Sequence, residues 1–146
     1  MAETELVPYI PETASYQIWY PKDFVVNEDK DGIVTITSPV TNSNLTLSGY
    51  QVNQNVTEEI LLNFFESSTK DYTPLSDVKR TVANERVWLE GEFQKDEVFW
   101  VWWALSHANQ IILASANFKG KLIEEDFSLF IFMLDKMKIY SADFDD

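Results

Sequence analysis

Glu90 and Glu92 stand one residue apart beside Trp88, and theirs is the spacing in this chain that could do acid–base chemistry. Carboxylates at i and i+2 on one strand share a face and stand roughly 7 Å apart. Such a pair can flank a glycosidic bond, one group as acid and the other as base or nucleophile. The competing reading is a solvated strand face on which Glu90 pairs with Lys79, an exposed ion pair worth well under ~1 kcal/mol. The one histidine, His107, falls in Ser-His-Ala-Asn at a hairpin end. A histidine base needs a neighbouring nucleophile or orienting carboxylate, and no recognisable partner is supplied, so His107 reads as a turn residue. One histidine and no cysteine make a zinc set unexpected. Four scattered glycines build no phosphate-cradling loop. The run Asn27 to Gly32 resembles the start of a calcium loop, but its twelfth position is Ser38 where a bidentate glutamate belongs. No catalytic residue, metal or cofactor is therefore expected.

Any such group would be held by strands. Four stretches read as a meander of strands: Val78–Ala83, Arg86–Phe93, Glu97–Ser106 and Gln110–Asn117. Short turns separate them at Asn84-Glu85, Lys95-Asp96 and Ala108-Asn109. Two-residue turns set the register. Phe93 then faces Val98, Gly91 faces Trp100 and Leu89 faces Trp102, with the glycine making room for the indole. On the other face Glu92 meets Phe99, Glu90 meets Val101 and Trp88 meets Trp103. Lys79 lands beside Glu90, Ala114 beside Trp103 and Ala116 beside Val101. The stretch Val98 to Leu105 is apolar on both faces, so both sheet faces beneath it must be covered, by the chain's own helices or by a partner.

The remaining elements follow from punctuation. Met1 to Ser15, with Pro8 and Pro11, reads as an extended arm. Tyr16–Tyr20 is a first strand ending at Pro21, which Phe24–Val26 continues beyond a kink. Asp31-Gly32 marks a hairpin into Ile33–Ser38, and Leu45–Val52 is a third strand. Asn55-Val-Thr-Glu58 has capping-box spacing and opens a helix to about Ser68, with Ile60, Leu61, Phe64 and Phe65 as its apolar stripe. Lys70 to Asp77 is a loop. A second helix runs from about Ile123 to Lys136, with acids in its first turn and lysines near its end. The predicted architecture is α+β: one antiparallel sheet of six to seven strands with two helices on opposite faces, in the order β-β-β-α-β-β-β-β-α. The predicted organisation is an arm over 1–15, one domain over 16–140 and an acidic tail over 141–146.

Composition bounds the function. The chain has 146 residues, 45% of them hydrophobic and 14% aromatic, enough for one full core. The formal net charge of −13 repels nucleic acid and anionic membrane; it reads first as a device of solubility and second as attraction for a basic partner. No signal peptide is evident, and no apolar run approaches a membrane span, so a cytoplasmic location is expected.

The element order is similar to that of the PsbP/Mog-like superfamily of small α+β domains. The segments that carry the resemblance are Tyr-Pro-x-x-Phe at Tyr20–Phe24, Ile-Thr-Ser-Pro at Ile36–Pro39, an alternating strand before an amphipathic helix, the long meander, and a last helix ending in Met-Lys-Ile-Tyr. The resemblance spans about Tyr16 to Tyr140. It implies a sheet sandwiched between helices, and binding rather than catalysis. Relatives of that kind include a photosystem extrinsic subunit, a nuclear-import GTPase-binding factor and chaperones for the apolar segments of secreted toxins.

Three functions are therefore expected, in this order. The first is a non-catalytic bacterial adaptor, chaperone or immunity-type protein that holds one protein partner, basic or bearing an apolar segment. Its site is the face bearing Trp88, Glu90, Glu92, Phe99, Val101, Trp103 and Leu105, joined by Ile112, read as a partly open apolar groove with an acidic rim; the competing and favoured reading is that one of the two helices covers that face. The second is a small-ligand domain with a pocket between sheet and helix. The third is a hydrolase using Glu90 and Glu92.

Overall fold

The computed structural model describes residues 5–83, 86–119 and 122–140. The elements run β1 (Leu6–Tyr9), β2 (Tyr16–Pro21), β3 (Val25–Glu28), β4 (Val34–Thr37), β5 (Asn44–Gln51), α1 (Glu58–Thr69), β6 (Thr73–Pro74), β7 (Lys79–Ala83), β8 (Arg86–Lys95), β9 (Val98–His107), β10 (Gln110–Lys119), α2 (Glu124–Lys136) and β11 (Lys138–Ile139). The turn expected at Asn84-Glu85 and the tail expected over 141–146 lie outside the described residues.

The chain is α+β, but its strands form two sheets rather than one. Eight build a large antiparallel sheet in the order β3-β4-β5-β10-β9-β8-β6, with β7 also paired to β8. The other three, β1-β2-β11, form a small sheet. The break falls at Pro21, whose carbonyl accepts from the Phe24 N–H and closes a turn. The segment after it therefore does not continue β2. It becomes β3 and pairs with β4 in the large sheet. β2 instead pairs with Leu6–Tyr9 from the arm and with Lys138–Ile139 after α2.

The double-sided apolar strand has its consequence in three layers. Trp103, Val101 and Leu105 on one face of β9 pack with α2 and the small sheet, through Phe130, Met133, Leu134, Tyr16 and Ile18. Ala104 and the flanks of Trp100 and Trp102 on the other face pack with Leu61 and Phe65 of α1. Side-chain alternation at period 2 makes the helices take opposite faces.

Two local details differ from expectation. The α1 cap is Thr57, not Asn55: the Thr57 hydroxyl accepts from the Ile60 N–H at 3.2 Å. The β8–β9 turn is Asp96-Glu97, one residue later than expected, and both adopt positive φ, 53° and 63°. That backbone suits a two-residue hairpin turn, though neither residue is the usual glycine or asparagine. A turn shifted by one residue moves the register by two. Gly91 therefore faces Trp102, Phe93 faces Trp100, Leu89 faces Ala104, Glu90 faces Trp103, Trp88 faces Leu105 and Glu92 faces Val101. A slip of two keeps every side chain on its expected face. Gly91 also serves a different neighbour: a Cβ there would lie 2.8 Å from the Phe93 ring and 3.1 Å from Phe65, so it makes room for phenyl rings. The Lys79–Glu90, Ala114–Trp103 and Ala116–Val101 pairings are as expected.

Candidate functional site

Trp88, Glu90, Glu92, Phe99, Val101, Trp103 and Leu105 share one face of β8 and β9, but that face is not an open groove. The small sheet and α2 lie on it, and Val101, Trp103 and Leu105 are fully buried. Phe127 of α2 stacks on Trp103 with ring centroids 6.0 Å apart. The Trp103 indole N–H donates to a Glu90 carboxylate oxygen at 3.0 Å. A buried indole needs an acceptor, and a carboxylate from the adjacent strand supplies one. Glu90 is thus committed to a core tryptophan. Phe99 is half-buried against Phe118, and Ile112 is inside the same core.

One margin of this face stays open. Between the outer flank of α2 and the β7–β8 edge lies a groove of about 500 Å³, lined by Thr81, Trp88, Glu90, Ser128, Ile131, Phe132 and Asp135. Phe132 is 44% exposed although it is a large apolar side chain on a helix. Trp88 forms the inner wall, and its indole N–H has no acceptor. Glu90 and Asp135 bring negative charge to the two walls, and the Lys136 ammonium stands over the Phe132 ring, 5.7 Å from its centroid. Beside the groove, Arg86 donates to the Met137 carbonyl. Burial lowers the Arg86 guanidinium below its ordinary pKa, and the nearby Asp135 carboxylate opposes that shift. β7 is an outer strand: no described strand lies beyond it. Sequence reasoning found Trp88 and Glu90 but missed α2's part, because the apolar positions of α2 run nearly all round the helix and do not show which of them is left outside.

Two further concavities are lined by residues that the sequence did not single out for a site. Beside α1, Tyr50, Asn63, Phe64, Ser67, Ser68 and Leu113 line a trough of about 400 Å³. A smaller polar pocket of about 230 Å³ lies among Thr13, Ser15, Gly49, Gln51, Gln110 and Tyr140. Their signals in the sequence were the polar positions of β5 and the serines of α1, which read equally well as solvated surface. His107 is exposed at the end of β9. The Asp29 carboxylate accepts from the Asp31 and Ile33 N–H groups, which accounts for the acidic turn as a backbone device. Among the described residues no cluster of His, Cys, Asp and Glu could hold a metal ion. No described helix is long and apolar enough to cross a membrane.

No family model matches the chain, and no curated protein matches its sequence. Solved structures match its fold. The solution structure of cyanobacterial PsbP (CyanoP) from Synechocystis sp. PCC 6803 superposes with a TM-score of 0.69 at 13% identity, over 95% of each chain. A crystal structure from Bacteroides thetaiotaomicron VPI-5482 superposes with a TM-score of 0.68, also at 13% identity. That match covers 92% of this chain and 48% of the other, so this chain spans about half of that protein. Identities this low carry the backbone and not the site. What the chain shares with the cyanobacterial protein is an architecture, and its fold is PsbP-like.

Proposed function

We propose that the chain is a non-catalytic binding protein that holds one protein partner in the groove between α2 and the β7–β8 edge. The observation that carries this reading is the exposed Phe132 on the outer side of α2, with half-buried Ile131 beside it, opposite Trp88 and between two carboxylates. Exposed apolar surface rimmed by charge is the ordinary form of a peptide site. Its chemistry selects a short segment with an aliphatic or aromatic anchor and flanking Lys or Arg. The net charge of −13 favours approach of such a segment over long range. The unpaired edge of β7 offers main-chain groups beside the anchor, which is how extended peptides add to a sheet.

Selection from a random peptide library on immobilised protein tests this. Enrichment of basic segments with one apolar anchor is expected, and Phe132→Asp should weaken their binding by about tenfold or more. Phe132 is surface-placed, so this variant should melt as the wild type does. No enrichment, or enriched peptides indifferent to Phe132→Asp, rejects the reading.

A further inference from the structure

The large sheet has a second open surface, on the side away from α2. There α1 packs over Leu89, Phe93, Ala104, Ile111 and Leu113, and Tyr72 just after α1 packs against Phe93, Trp100 and Trp102. Beyond α1 the pairing registers align two rows across the strands. One row runs Trp102, Ser115, Thr46, Thr35, and the next runs Trp100, Asn117, Asn44, Thr37. Each row is a tryptophan followed by hydroxyls or amides, of which Ser115 is buried and Thr35, Thr37, Asn44, Thr46 and Asn117 are half-buried. Neither contains an ionisable group, in a chain of which 24% is charged. A plain solvated face would ordinarily draw on charged cross-strand pairs.

The chemistry of the rows is specific. Ser, Thr and Asn side chains both donate and accept hydrogen bonds, as sugar hydroxyls do. Asn117 already donates to the Asn44 side-chain oxygen at 3.0 Å, which fixes both amides in the floor. The tryptophans supply the apolar half of the match. Their indole N–H groups are buried without acceptors, so the half-exposed part of each ring is carbon. Tyr72 meets both rings edge-on, at 5.3 and 5.5 Å between centroids, and holds their planes. The trough of about 400 Å³ adjoins this floor along α1, where Tyr50 and Phe64 add a second aromatic wall, 5.7 Å between ring centroids. That volume falls in the range of small-ligand sites.

We propose that this face binds a neutral, linear oligosaccharide lying beside α1. A floor of hydroxyls and amides with indole carbon at one end of each row, and the Tyr50–Phe64 wall in the trough beside it, matches a chain of pyranose rings, whose edges are hydroxyl and whose faces are C–H. Neither row holds a cation for an anionic glycan, the lysine beside them, Lys95, lies over the Tyr72 ring at 4.7 Å, and the whole molecule repels an anion. A lipid has no apolar floor.

The test is calorimetric titration with neutral hexaoses of glucose (α- and β-linked), xylose and mannose, followed in parallel by tryptophan fluorescence. Saturable binding of at least one hexaose is expected, with a shift in tryptophan emission. Tyr50→Ala removes a wall residue that is 42% exposed and should weaken binding by about threefold or more. Thr46→Lys puts a charge into the floor and should weaken it by about tenfold. If Thr46→Lys lowers the melting temperature, Tyr50→Ala alone decides. No saturable binding of any hexaose at millimolar concentration overturns the proposal, as does binding that Tyr50→Ala leaves unchanged. Capture of a protein that masks Tyr50 and Thr46 from labelling also overturns it.

Discussion

At the scale of single residues, Glu90 has a structural partner. Glu90 accepts from Trp103, a tryptophan with no exposed surface. Glu90→Gln keeps an acceptor oxygen at that point, so it should cost within ~1 kcal/mol of stability by urea denaturation. Trp103→Ala should cost about 3 to 5 kcal/mol, because it opens a cavity under Phe127 and strands the carboxylate. A larger loss from Glu90→Gln than from Trp103→Ala would refute this account of the pair. Tyr9 gives a second residue-scale prediction. Its hydroxyl on β1 donates to Glu28 on β3, joining the small sheet to the large one. That bond, then burial, then the negative charge of Glu28 push the Tyr9 pKa up from 10.0 to about 12. The folded state holds the proton more tightly than the unfolded state does. The stability from this link is therefore complete below pH 10 and is lost as pH rises towards 12. Melting temperature followed across that window should fall less steeply in Tyr9→Phe than in the wild type.

At the scale of elements, length decided what could be read from sequence. The ten-residue strands β8, β9 and β10 and both helices carry enough periodicity to stand out, and each is found within two residues of where its pattern put it. β6 and β11 have two residues each, too few for any period. β1 lies in a segment with Pro8 inside it, and proline argues against a strand unless the strand is an edge, which β1 is. Missing β1 and β11 is what turned two sheets into one, since they are the partners that draw β2 away. The cap of α1 failed for a different reason: Asn55, Thr57 and the glutamates offer two overlapping start signals, and only backbone geometry chooses. That choice is testable. Thr57→Ala removes the acceptor for Ile60 N–H and should cost ~1 kcal/mol, whereas Asn55→Ala should be neutral. Equal costs in chemical denaturation would put the cap back at Asn55.

At the scale of the whole molecule, the three layers explain why the candidate site was only half legible. A strand apolar on both faces requires two covers, and that much follows from alternation. Which cover leaves a gap depends on how far α2 extends over the sheet, a tertiary fact with no local signature. The open surfaces accordingly sit at the margins of the covers, one beside each helix. The two differ in charge. The α2 groove lies between Glu90 and Asp135, while the rows beyond α1 carry no ionisable group. Salt should therefore separate them. Attraction of a basic peptide to a chain of net charge −13 acts partly at long range and is screened as the Debye length shrinks from about 10 Å at 0.1 M to 3 Å at 1 M. Between those concentrations of NaCl, peptide affinity at the α2 groove should drop by about tenfold, with most of the change in the association rate. Contacts between hydroxyls, amides and indole carbon involve no net charge, so oligosaccharide affinity at the α1 face should change little over the same range. A peptide whose binding is indifferent to salt would mean that Phe132 and Ile131 act without the carboxylates, and the preference for a basic partner would fall. An oligosaccharide that is displaced by salt would mean that it sits on a charged surface and not on these two rows.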